Sequence, residues 1–273
     1  MGVAKVIIND VTEIDLTADT VTADTLAEGA TAHDAKGEII TGTMTKGDDT
    51  EFVSLIETGN CSSLPASLTK IGAYAFYKCT SLALTSLPSG VTSIGDSAFS
   101  ACSNLALTSL PEGITSIGAY AFYECSSLAL TSLPEGITSI GSYAFQRCTS
   151  LALTSLPEGV TKIAGNAFYK CSSLALTSLP EGLTSIGYWV FCSCSKLAIT
   201  SIPSGVGSLY DGVFSECTGL TSITFKGTPT TISSSAFNNC TNLTDIYVPW
   251  AEGAVANAPW GATNATIHYD STV

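Results

Sequence analysis

Cysteine recurs at Cys79, Cys102, Cys125, Cys148, Cys171, Cys194, Cys217 and Cys240, every 23 residues without slippage. A thiol can act as a nucleophile, hold a metal or pair in a disulfide, and each use makes a demand on its surroundings. A cysteine nucleophile needs a base, usually histidine, close in space. The chain has two histidines, His33 and His268, near opposite ends. Neither stands in a metal-ligand spacing, and no G-x-S-x-G or H-E-x-x-H motif occurs. Cys192 and Cys194, in "CSC", form the one close pair, with Cys192 standing where other units carry tyrosine. A metal site or a redox pair there would need further ligands, and no histidine lies near. The sequence therefore predicts no catalytic residues, no metal and no cofactor: the chain does not read as an enzyme.

The elements that position these thiols share their period. Phenylalanine keeps the same step from Phe76 to Phe237, as do an isoleucine column from Ile71 to Ile232 and a leucine column from Leu82 to Leu243. A unit of 23 residues is too short to bury its own apolar side chains, so such units are stable only when stacked into a continuous core. In "LALTSLP", Leu105 and Leu107 fall on one side of an extended segment, with Ala106 and Thr108 on the other, the period-2 pattern of a strand. Pro111, Glu112 and Gly113 turn the chain, and "ITSIG" is a second short extended piece pointing Ile114 and Ile117 inward. "AYAFYEC" is too short for an independent helix and is expected to make a turn or two of helix that drops Phe122 and Cys125 into the core. Thiols in one column of rungs about 4.8 Å apart run parallel, which does not suit the crossed geometry of a disulfide. They are predicted to be buried and free.

The C-x-x-L, I-P, I-G and A-F-x-x-C landmarks of residues 61–245 resemble the BspA-type, or Treponema-type, leucine-rich repeats. The resemblance implies a right-handed leucine-rich-repeat superhelix, β-rich with short helical turns. The family's first strand reads like "LTSITF" at 220–225, whereas most units here read "LALTSL", which moves one apolar position by a residue. Such a slip exchanges strand faces, so the register of that strand is left open. The domain reading is an N-terminal attachment or oligomerisation segment at 1–45, a linker and cap containing "KGDDTE" at 46–60, the repeats at 61–245, and a C-terminal cap at 246–273.

Columns outside the core pattern supply the candidate sites. Glu112, Glu135, Glu158 and Glu181 occupy one turn position in successive units. Stacked carboxylates repel, so the row is solvated or bridged by cations. Two residues past the I-G glycine the chain reads Tyr74, Ser97, Tyr120, Tyr143, Asn166, Trp189, Gly212 and Ser235. After the phenylalanine it reads Tyr77, Ser100, Tyr123, Gln146, Tyr169, Cys192, Ser215 and Asn238. Positions that the core does not dictate are expected at the surface, and tyrosine and tryptophan combine apolar area with a polar handle. Two readings fit: these aromatics shield the turn edge of each unit, or they form a receptor- or glycan-facing patch of Tyr120, Tyr123, Tyr143, Tyr169, Tyr188 and Trp189. The Ala/Thr face of the first strand is flat and uncharged.

The charge of -13 is uneven: residues 1–60 hold 12 acidic and 3 basic residues, the remainder 11 and 7. Nucleic-acid partners, which need basic patches, and anionic membranes are disfavoured. No segment approaches the length of a membrane span, and "MGVAKVIIND" reads as a poor signal peptide. "LAEGATAHDAKGEIITGTM", residues 26–44, resembles N-terminal segments of tail-fibre and other virion proteins of phages and prophages of gut Firmicutes. That resemblance implies virion assembly partners, a homo-oligomer and a virion location, with a bacterial cell-surface or extracellular location as the alternative. A simple N-terminal cap also fits. Trp250 and Trp260, each preceded by proline, suit a cap on the last rung, with a binding role as the other reading.

Overall fold

The computed structural model describes residues 68–271, Leu64, Ala66 and four short N-terminal strands. β1 (Lys5–Val6) pairs antiparallel with β2 (Ile14–Asp15), and β3 (Thr31–His33) with β4 (Ile39–Thr41). The second pair lies within the virion-like phrase. The linker at 46–60 and the expected attachment role of 1–45 otherwise fall outside the described residues.

From Lys70 onward the chain is a parallel β-solenoid. Six strands stack in register, one per unit: β5 (Lys70–Ile71), β6 (Ser93–Ile94), β7 (Ser116–Ile117), β8 (Ser139–Ile140), β9 (Lys162–Ile163) and β10 (Ser185–Ile186). Each is the second half of an "ITSIG"-type segment, with its isoleucine buried. The ladder breaks after β10. β12 (Ser208–Leu209) and β14 (Thr231–Ile232) then pair separately.

The first extended segment splits into two kinds. In the C-terminal units it forms a true sheet: β11 (Ser201–Ile202), β13 (Ser222–Phe225, within "LTSITF"), β15 (Asp245–Tyr247) and β16 (Thr266–His268) pair in parallel. In the "LALTSL" units only one or two rung-to-rung bonds remain, such as Ala129 N to Leu107 O at 3.1 Å and Ala152 N to Leu130 O at 3.1 Å. The chain bends at Thr108 and its equivalents. That bend resolves the register: Leu105, Leu107 and Leu110 are all buried, just as Leu220, Ile223 and Phe225 are. The displaced leucine stays in the core, and the two patterns bury the same face of the segment.

No helix forms among the described residues, which corrects the expectation of short helical turns. Two residues per unit adopt left-handed backbone, for example Tyr120 (φ 57°) and Glu124 (φ 57°), or Asn166 (φ 59°) and Lys170 (φ 60°). A right-handed helix needs φ near −63°. Donors alternate instead. The amides of Ala121, Tyr123 and Cys125 close tight turns on Gly118, Tyr120 and Phe122, while those of Tyr120, Phe122 and Glu124 donate to Ser142, Ala144 and Gln146 in the next rung at 2.8–2.9 Å. A helix would consume every amide locally and leave neighbouring rungs unbonded.

This arrangement holds non-glycine residues where an L side chain costs roughly 1–2 kcal/mol. Ala101, at φ 62°, is a clean site to read that strain. Ala101→Gly is expected to stabilise the fold by up to about 1 kcal/mol, since the relief exceeds glycine's unfolded-state entropy of roughly 0.5–1 kcal/mol. Chemical denaturation would show it as a higher midpoint at unchanged slope.

The core is a set of one-residue ladders. Eight phenylalanines from Phe76 to Phe237 stack with centroids 5.1–5.7 Å apart and planes within 11°. Beside them each thiol donates to the phenylalanine carbonyl of the preceding rung, as in Cys125 Sγ to Phe99 O at 3.0 Å and Cys171 Sγ to Phe145 O at 3.0 Å. The far end is closed by Trp250 and Trp260, which pack edge to face at 6.3 Å against each other and cover Phe225. The indole of Trp260 donates to Ala256 O at 2.7 Å, so it is buried with its polar atom satisfied. On the last two strands His268 bonds Asp245 at 2.8 Å and stacks on Tyr247. The bonds to His268 and then Thr244 hold the Asp245 carboxyl below its ordinary range.

Candidate functional site

The cysteines from Cys102 to Cys240 form no disulfide, in keeping with their parallel column, and are buried. Burial pushes their acidity down: Cys125 and Cys240 titrate at about 12, against an ordinary value of 9.0, with bonds to the preceding thiol's backbone only partly offsetting the desolvation. A neutral, enclosed thiol is a poor nucleophile. Cys192 is also buried, its thiol 3.6 Å from Ser193 Oγ and raised in pKa chiefly by desolvation. Among the described residues no group of three or more His, Cys, Asp or Glu side chains is placed to hold a metal ion. The glutamates of the "PEG" turns are all exposed, and Glu181 pairs with Lys226 rather than with its own row.

Two outcomes follow for the thiols. The seven column cysteines from Cys102 to Cys240 are expected to resist an aromatic disulfide reagent at pH 8 until the protein is unfolded. Because folding raises these pKa values, their contribution to stability is complete below about pH 9 and is lost as pH rises toward 12. Thermal melts across that alkaline window would show the decline.

The turn edge carries the aromatics. Among the described residues, the exposed large apolar side chains are Tyr74, Tyr77, Tyr120, Tyr188, Trp189 and Tyr210. All six sit in the "A-F" turn or at its entry. The left-handed backbone at Tyr74, Tyr120, Tyr143 and Trp189 turns these residues away from the core, so an aromatic occupies a position that sterics alone would give to glycine or asparagine.

The candidate residues fall into two groups. In the first, Tyr120 and Tyr143 stack face to face at 4.5 Å with planes 6° apart, and Tyr123 tilts against Tyr120 at 5.7 Å. Desolvation, then the adjacent Tyr143 hydroxyl, raises the Tyr120 phenol pKa; Tyr123 is raised by desolvation and by its bond to Glu124. Glu124 in turn binds Arg147 of the next rung. In the second group Tyr188 meets Tyr210 at 4.5 Å, tilted by 33°. Trp189 lies on Gly212, where a Cβ would come within 2.2 Å of the indole ring. Tyr169 joins neither group. It is half-buried, with the Lys170 ammonium 5.2 Å from its ring.

One expectation needs correction. Only part of the column after phenylalanine lies at the surface: Tyr77 and Asn238 are exposed, Tyr123 and Tyr169 are half-buried, and Ser100, Gln146, Cys192 and Ser215 are buried. That residue lies between the two left-handed positions, and its side chain folds onto the adjacent rung, as the 3.1 Å bond from Ser215 Oγ to Asn238 O shows.

Tyr210 was missed by column reasoning. It occupies the glycine position of the I-G landmark, where Gly95, Gly118, Gly141 and Gly187 approach the preceding rung so closely that a Cβ would fall 2.4–2.8 Å from its backbone. Tyrosine at that place was a visible departure in the sequence. Its consequence is the break in the strand ladder between β10 and β12, where a shallow cleft of about 350 Å³ opens between Tyr188, Tyr210, Asp211, Ser233 and Asn257.

No helix among the described residues is long and apolar enough to cross a membrane. No curated protein matches the chain. Among solved structures, a leucine-rich repeat protein from Bacteroides ovatus shares 21% identity at a TM-score of 0.56, over 98% of this chain and 76% of its own. A leucine-rich repeat protein from T. pallidum is 28% identical at a TM-score of 0.45, over 70% of this chain and 77% of its own. A leucine-rich cell surface protein from Faecalibacterium prausnitzii is 23% identical at 0.33, over 93% and 95%. The first of these supports the solenoid fold. The model of the BspA type leucine-rich repeat region matches residues 60–175 and 138–253. Together these two matches span residues 60–253, most of the chain and every described rung but the last, and the chain belongs to the BspA-type leucine-rich repeat family.

Proposed function

We propose that this chain is a non-catalytic binding module that engages a protein or glycan receptor on a cell surface through the aromatic edge of its turns. One observation carries the reading: the exposed large apolar residues among the described residues gather on this edge. Scattered surface aromatics need no explanation, but a row confined to one edge, with Tyr74, Tyr120 and Trp189 at strained backbone positions, does. A rigid stack presents such residues at low entropic cost, which favours binding. Family membership supports display at a bacterial cell surface. The phrase at residues 26–44 instead favours carriage on a virion, and tail or capsid genes beside this one would support that alternative.

The test uses labelled full-length chain on bacterial and epithelial cells. A variant with Tyr120, Tyr143, Tyr188 and Trp189 all changed to alanine is expected to lose at least ten-fold in cell binding while keeping its unfolding transition. A control with Glu112, Glu135 and Glu158 changed to glutamine should bind normally. Full binding by the aromatic variant, with the fold intact, would sink the proposal.

A further inference from the structure

The cleft beside the break in the ladder has a composition unlike the rest of the edge. Tyr188, Tyr210, Asp211 and Ser233 line it, together with Asn257 of the C-terminal cap. At 350 Å³ it sits at the small end of the roughly 300–1,000 Å³ range of ligand pockets. Resting on the binding role proposed above, we infer that this cleft is a subsite for a neutral sugar unit of a glycan.

Three features select that ligand class. The tyrosine rings are open to solvent, Tyr188 at 52% and Tyr210 at 38%, and they are braced against each other at 4.5 Å. Each ring braces the other, so the exposed face of a single tyrosine is held in place for the apolar C–H face of a pyranose to cover. Around it stand polar groups suited to hydroxyls. One carboxylate oxygen of Asp211 accepts from Ser233 Oγ, which fixes the side chain and leaves the second oxygen without a protein partner among the described residues. The Asn257 backbone is left-handed, at φ 69°, and its carbonyl is held by Trp260 N at 2.8 Å; its side-chain amide makes no bond to the described residues. A carboxylate and an amide together can accept from and donate to vicinal hydroxyls.

Charge narrows the class. No lysine or arginine lines the cleft, and its one charged side chain is Asp211. Sialylated, uronic and sulfated sugars would face an unscreened carboxylate, so neutral hexose or N-acetylhexosamine units fit. A protein loop would need more area than so small a cleft supplies.

Full-length chain immobilised on beads, so that avidity amplifies a weak site, would be exposed to neutral hexose and N-acetylhexosamine oligosaccharides and to sialylated and sulfated counterparts. The expected result is retention of a subset of the neutral glycans only. Tyr210→Ala and Asp211→Asn should each cut retention at least ten-fold, the second without removing any packing volume, while Glu112→Gln, in an exposed turn away from the cleft, should leave it unchanged. No retention of any neutral glycan by folded wild-type chain, preferential capture of acidic ones, or equal loss with Glu112→Gln would each overturn the inference. Loss of cell binding in the four-aromatic variant alongside a blank glycan panel would leave the edge intact as a protein-binding surface and remove the sugar subsite alone.

Discussion

Replacing Phe168 with alanine is expected to cost about 3–5 kcal/mol, the range for deleting a buried phenylalanine. Phe168 is fully buried and stacks on Phe145 at 5.4 Å and on Phe191 at 5.7 Å. Two aromatic contacts worth roughly 0.5–1.5 kcal/mol each beyond area burial are lost with the ring. The cavity cannot collapse readily, because the rung spacing is set by backbone bonds such as Phe168 N to Val190 O at 3.0 Å. Being near the middle of the array, the substitution weakens coupling between the two halves. Repeat stability is a sum of unit and interface terms, so denaturation should change from one transition to two as well as shifting its midpoint. A single transition with a loss below 1 kcal/mol would show that the phenylalanine ladder is not the main coupling between rungs.

Trp260→Ala should have an effect of similar size, about 3–5 kcal/mol, but of different character. Trp260 is fully buried, and its carbonyl accepts from Phe237 N at 2.9 Å, so it ties the cap to the last stacked phenylalanine. Losing the indole uncovers Phe225 and Trp250 at the end of the stack. The expected outcome is local: hydrogen exchange accelerates in β13, β15 and β16 while amides near Phe122 stay protected. An uncovered terminal rung is also a template for pairing with another chain, so light scattering should report concentration-dependent association. If instead exchange rose uniformly along the solenoid, the end would not be an independent unit.

Much of this was legible in the one-dimensional pattern. Phe122, Cys125, Ile117 and Leu105 recur at one spacing, and a spacing without insertion permits only a stack in which each column meets itself. Stacked rings, free thiols and the tryptophan cap follow from that constraint. What the pattern did not reveal was local. The segment "AYAFYEC" looked helical because its apolar spacing suits a helix as well as a string of turns, and only the choice between local and rung-to-rung hydrogen bonds separates them. The column containing Ser100, Gln146 and Ser215 looked variable and hence exposed, yet variability there reflects a crevice that accepts several side chains.

The proposed binding residues divide along the same line. Tyr120, Tyr143, Tyr188 and Trp189 could be picked out because they interrupt a monotonous column, and the structure places them on the turn edge. Tyr210 interrupts a glycine column, and the meaning of that substitution depends on how closely two backbones pass, a distance no sequence states. The repeat by itself determined the stack and its core, because a strict period forces identical side chains into contact. The tertiary structure alone decided which amides bond across rungs, where the ladder breaks and that Asn257 reaches the cleft from the cap, because each depends on the fit between rungs rather than on the content of any one.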